Sequence, residues 1–178
     1  MTRILFVICC FLSVQNDEPV ITWKDSYRLS WQDFKAKPED NSSAAALTAS
    51  GISFEYSITQ SAFRVVSFKT QVEACFYPEK SWYKPQLANQ YILAHEQLHY
   101  DITELYTRKF REQLTLLRPS KTLKKELDAL QKAINKQLSD KQNAYDSETN
   151  YSRSPEVQQQ WQTHINVELK KLEAFKSE

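Results

Sequence analysis

The chain reads as a single α+β domain, an antiparallel β-hairpin or meander followed by three long helices. Three observations carry that expectation. Ile52, Phe54, Tyr56 and Ile58 alternate with polar neighbours, as in a strand with one face on a core. Beyond Pro85, apolar residues recur at helix-like intervals through three successive segments. The strands precede the helices and do not interleave with them, the order of an α+β domain. With 178 residues, the chain is long enough for one core and too short to expect two.

The first residues read as an export signal. Arg3 precedes an apolar run from Ile4 to Leu12, too short to span a bilayer, and the polar stretch Gln15 to Glu18 ends it. Residues 1–15 are therefore expected to be a signal peptide and 16–178 the exported domain, with no stable membrane insertion after processing. Cys9 and Cys10 fall in the removed segment, so the mature domain has Cys75 alone and no internal disulfide. Cys75 sits in a strand pattern and reads as a small buried hydrophobe.

In the N-terminal half, Ile21 to Trp23 and Tyr27 to Phe34 read as short aromatic strand segments, and Lys37 to Ser43 as a loop. After Thr59-Gln60-Ser61 a second strand runs from Phe63 to Phe76 and completes the hairpin. The first helix is expected from Pro85 to about Leu117, stopped by Arg118-Pro119-Ser120. The second, from about Thr122 toward Tyr145, has the stripe Leu123, Leu127, Leu130, Ile134 and Leu138. Ser154-Pro155 opens the third, with the stripe Val157, Trp161, Ile165, Leu169, Leu172 and Phe175.

Composition excludes some chemistries. With 23 Lys+Arg against 22 Asp+Glu there is no basic field for nucleic acid. The single glycine, Gly51, cannot supply a phosphate-cradling loop or a dinucleotide fingerprint.

The chemistry points instead to His95-Glu96-Gln97-Leu98-His99. Four residues apart on a helix, the two histidines stand ~40° apart on one face, where both imidazoles can bind one Zn²⁺. Glu96 next to them can reach a water in that site and serve as general base. Only three histidines occur in the chain, and two of them are here. A hydrolytic zinc site needs a third protein ligand. The extended pattern that would supply a third histidine on the same segment is absent, since Ile102 and Leu105 hold its glycine and histidine positions. Glu104 projects ~140° away from His99 and is set aside. Asp146, Glu148 and His164 remain as candidates. Tyr106, ~20° around the helix from His95, and Tyr145, beside Asp146, are candidates for supporting roles.

Several stretches resemble a bacterial family classed as secreted zinc-dependent proteases and catalogued as a domain of unknown function. They are Ala94 through Glu104, Leu29-Ser30-Trp31-Gln32-Asp33-Phe34, Ser81-Trp82, Tyr145-Asp146-Ser147-Glu148-Thr149, and Gln160-Trp161 with Ile165. The resemblance spans nearly all of the mature chain. It implies a zincin-like fold, zinc held by His95 and His99, a catalytic Glu96, and a third ligand in the Tyr-Asp-x-x-Thr segment: Asp146 first, Glu148 second. That family often carries His-Gly where this chain has Tyr151 and Ser152. The function expected is a zinc metallopeptidase acting on a peptide or protein that lies along the sheet edge beside the motif helix. The alternatives are a binding module with a structural metal site and a hydrolase of cell-wall amides.

Overall fold

A computed structural model describes residues 18–61 and 64–177. The expected signal peptide, Cys9, Cys10 and Phe63 lie outside those residues. The strands are β1 (Ile21–Thr22), β2 (Ala46–Leu47), β3 (Ser50–Ser61), β4 (Arg64–Phe76) and β5 (Trp82–Tyr83). The helices are α1 (Gln90–Leu114), α2 (Leu123–Glu148) and α3 (Pro155–Lys171). The architecture is α+β, with the strands first.

Strands β3 and β4 form the expected antiparallel hairpin, in register from Ser50 opposite Phe76 to Ser61 opposite Arg64, with an irregularity at Thr59/Gln60. β1 adds to the other edge of β4, Ile21 opposite Phe76. The alternation of Ile52, Phe54, Tyr56 and Ile58 turns these side chains towards Val72, Phe110, Leu123, Leu127 and Ile134, a cluster shared by the hairpin, α1 and α2.

Tyr27 to Phe34 is not a strand. Trp31–Asp33 is a single 3-10 turn, because Asp33 accepts from the backbone N–H of Ser30 at 2.7 Å while the Asp33 N–H bonds back to the Ser30 carbonyl at 3.0 Å. The segment is strapped onto α1 by polar bonds. The Leu29 N–H donates to Gln97 Oε1 at 2.8 Å, and Trp23 Nε1 donates to Asp101 Oδ1 at 2.8 Å. Two short strands were not foreseen, β2 and β5, which pair antiparallel as a separate sheet (Ala46 opposite Tyr83, Leu47 opposite Trp82). Two residues are too few for an alternation pattern to register.

α1 starts at Gln90, later than the Pro85 expected, because the Asn89 side chain accepts from the Ile92 N–H at 2.9 Å and caps the helix there. From His95 to Arg108 almost every residue is buried, since the hairpin, α2 and α3 all pack on this helix. Leu98, Ile102 and Leu105 meet Leu138, Trp161, Ile165 and Leu169 in the three-helix core. The deep burial extends to charges: Glu104 and Arg108 pair at 2.8 Å one turn apart, and Glu104 also accepts from the N–H and hydroxyl of Ser177. Cys75 is buried and unpaired. No helix among the described residues is long and apolar enough to cross a membrane.

Candidate metal centre and its cleft

The segment from His95 to His99 spans the second and third turns of α1, and Asp146 lies in the last turn of α2. Packing of α2 against α1 brings the three side chains to one point. His95 Nε2 and His99 Nε2 lie 3.1 and 2.9 Å from Asp146 Oδ1 and 3.2 Å from each other. Among the described residues these are the only His, Cys, Asp or Glu side chains that gather as a candidate metal-binding group.

The rings are held in this orientation from behind. His95 Nδ1 is 3.2 Å from Gln158 Oε1 on α3, and His99 Nδ1 bonds to Gln142 Oε1 on α2. An amide oxygen only accepts, so each imidazole directs an Nδ1–H at it, and in the neutral form the Nε2 lone pair is left facing the centre. Gln142 also donates to the His99 carbonyl at 2.9 Å, and Gln158 to the Tyr91 carbonyl at 3.2 Å, which fixes both amides in register with the helix they support. Tyr145, fully buried, stacks on the His95 ring at 4.5 Å and meets the His99 ring edge-on at 4.9 Å. Its hydroxyl donates to the His95 carbonyl at 3.4 Å, so its role is to position the imidazoles.

The electrostatics agree with this arrangement. Burial pushes the Asp146 carboxyl up, but the hydrogen bonds and positive charge that His95 and His99 offer it when Nε2 is protonated outweigh burial and hold the group far below the usual carboxylate range. Burial pulls His99 down, but the Asp146 bond and the Glu96 and Asp146 charges raise it above an ordinary imidazole. Two nitrogen donors and one anionic oxygen make a ligand set suited to zinc. Their separations of 2.9 to 3.2 Å approach the spacing of about 3.3 Å expected between tetrahedral ligands with bonds of 2.0–2.1 Å.

The remaining candidates fall elsewhere. Glu148 accepts from Trp161 Nε1 at 2.9 Å and ties α2 to α3. His164 is exposed on α3, and Glu104 is in the buried ion pair already described. Tyr106 shares the helix face of His95, but eleven residues at 1.5 Å each put it about 16 Å along the axis, packed in the three-helix core beneath Lys109. Glu96 is outside the donor trio and lines the same cleft. Gln142 and Gln158 were not anticipated. Gln142 is four residues before Asp146 on one helix face, a spacing that could have revealed it; Gln158, within a run of three glutamines, offered no such signal.

The centre opens into a cleft of about 1020 Å³. One wall is the chain from Ser42 to Thr48, including β2, whose second edge has no partner strand among the described residues. The Thr48 hydroxyl donates to the Glu96 carbonyl at 3.3 Å and holds this wall against α1. The opposite wall is the turn between α2 and α3. Thr149 anchors that turn: its hydroxyl donates to the Tyr145 carbonyl, and its own carbonyl accepts from the N–H groups of Arg153 and Ser154. Asn150, Tyr151 and Ser152 then take φ values of 50°, 53° and 64°, a left-handed run that reverses the chain. Ser152 is thus left-handed at the position where the family resembled above often has glycine.

Comparison with known proteins agrees with the sequence motifs. Residues 24–153 match a family described as "Bacterial protein of unknown function (DUF922)". No curated protein and no solved structure matches. The matched span covers most of the chain and includes the whole histidine–aspartate centre, and the chain belongs to this bacterial family.

Proposed function

We propose that the protein is a zinc-dependent hydrolase, a metallopeptidase of zincin-like design, with His95, His99 and Asp146 holding the metal and Glu96 as general base. The observation that carries this reading is the convergence of two imidazole Nε2 atoms on one carboxylate oxygen while both Nδ1 atoms are occupied by glutamine oxygens. A structural zinc site closes with four protein ligands. Three converge among the described residues, which favours a site with a position left for water.

Zinc bound there would supply Lewis acidity towards water and a carbonyl oxygen. The chain's own residues do the rest. The Glu96 carboxylate, facing the cleft, takes a proton from the attacking water as its oxygen bonds to the carbonyl carbon. The same carboxyl returns the proton to the leaving nitrogen as the C–N bond breaks. Tyr145, Gln142 and Gln158 keep the imidazoles from rotating. The open edge of β2 offers backbone groups to an extended peptide. The apolar run behind Arg3 supports a site of action outside the cytoplasm.

Glu96→Gln tests the assignment. Expected are one zinc per chain, an unchanged fold and a fall in kcat of at least about 100-fold, the lower range for a general base. Retained turnover removes Glu96 from that role.

A further inference from the structure

Outside the metal centre, the cleft has a chemical character of its own. Large apolar side chains are seldom left in water beside one another without a reason. Among the described residues eight are conspicuously exposed, and three of them rim this one cleft: Leu47 at 39%, Leu87 at 46% and Tyr151 at 62%. They come from three separate parts of the chain, the β2 wall, the segment before α1 and the α2–α3 turn, so no local sequence bias explains their meeting.

Charge is distributed as unevenly. The acidic lining residues are Glu96 and Asp146, both beside the histidines, and the one basic lining residue besides the histidines is Arg153. The Arg153 side chain is exposed, and its one hydrogen bond among the described residues goes to the Asn150 carbonyl in its own turn, at 3.4 Å. No carboxylate pairs with it among the described residues. The cleft wall also holds an unpaired polar atom. The Tyr91 hydroxyl, in the cleft wall one helical turn before His95, is the only buried side-chain polar atom without a partner among the described residues. Such atoms are rare because they lose their water and gain nothing in return.

We infer that the cleft selects an extended polypeptide segment with bulky apolar side chains and an acidic side chain placed against Arg153. The inference rests on the hydrolase reading for turnover but not for recognition. At about 1020 Å³ the cleft lies at the upper end of small-ligand pockets, roughly 300–1,000 Å³, and has room for several residues. Leu47, Leu87 and Tyr151 cover the apolar side chains. The turn that carries Tyr151 and Arg153 follows the end of α2, whose last turn holds Asp146, so the substrate carboxylate lies on the α2 side of the histidines.

The test uses amidated, internally quenched peptides of one length in four versions: Leu/Phe-rich or Ser/Gly-rich, each with Asp or Lys at the scanned position. Wild type is expected to cleave the apolar acidic version best, about 5-fold over its Lys counterpart, the range of an exposed ion pair. Arg153→Glu should invert that ratio, and 1 M salt should abolish it. Leu87→Ser with Tyr151→Ser should lower the kcat/KM ratio of the apolar to the Ser/Gly versions about 10-fold. The same ratios are read without turnover by fluorescence anisotropy on zinc-loaded Glu96→Gln, alone and combined with Arg153→Glu. Equal acidic-to-basic ratios in wild type and Arg153→Glu, or equal handling of apolar and Ser/Gly peptides, overturn the inference. Selective binding with no hydrolysis by wild type overturns the hydrolase reading and upholds this one. Neither binding nor hydrolysis overturns both.

Discussion

Asp146→Asn is the most telling perturbation of the proposed metal centre, because it keeps the side chain's shape and removes its charge. The carboxylate oxygen lies 2.9 and 3.1 Å from the two Nε2 atoms, and no second carboxylate joins the group among the described residues. Zinc at a free concentration 100 times its Kd stabilises a folded protein by about 2.7 kcal/mol. For a domain of this size that raises Tm by about 5–11 °C. Outer partners of metal ligands are worth 10–100-fold in affinity, and a direct anionic ligand at least the upper figure, about 100-fold. At the same free zinc the asparagine variant would then gain only about 0.4 kcal/mol, a Tm rise of about 1–2 °C. Thermal unfolding followed by circular dichroism, metal-free and in zinc buffer, measures both. Glu148→Gln is the control: the glutamine can still accept from Trp161, so it should keep the whole zinc-dependent rise. A full rise in Asp146→Asn, or a lost rise in Glu148→Gln, would refute the assignment of the third ligand.

Three other outcomes follow from the same geometry. Gln158→Leu removes the acceptor that orients His95 and should weaken zinc binding 10–100-fold in a chelator competition, and an unchanged Kd would show that the ring needs no such support. Zinc binding requires neutral imidazoles. Because the His99 pKa is raised in the metal-free fold, the stability its proton contributes is complete below the unfolded value of about 6.5 and is lost as pH rises through the folded value. The Tm gap between zinc-loaded and metal-free protein should therefore widen from pH 6 to pH 8, and a constant gap would contradict the raised pKa. Ser152→Gly relieves a left-handed residue at about 1–2 kcal/mol while adding about 0.5–1 kcal/mol of backbone entropy loss. The net gain, up to about 1.5 kcal/mol, should show as a higher urea midpoint, and a lower midpoint would mean that the Ser152 side chain contributes to the turn.

The amino-acid sequence alone determined what depends on periodicity and short spacing. The alternation from Ile52 to Ile58 determined the hairpin. The apolar stripes determined the three helices, and the four-residue interval put His95 and His99 on one face. Each of these is a property of a few consecutive residues, so it survives without knowledge of the rest of the chain. The Tyr27–Phe34 segment misled because aromatic residues suit strands and tight turns alike, and the bond between Ser30 and Asp33 decided for the turn. Only tertiary structure could separate Asp146 from Glu148. The two are two residues apart on α2 and turned to different sides, and the packing of α2 on α1 sends one to the histidines and the other to Trp161. The same packing delivers Gln158 from 63 residues away to His95, and gathers Leu47, Leu87, Tyr151 and Arg153 around one cleft. Contacts between remote segments depend on how whole faces pack, and no local pattern encodes them.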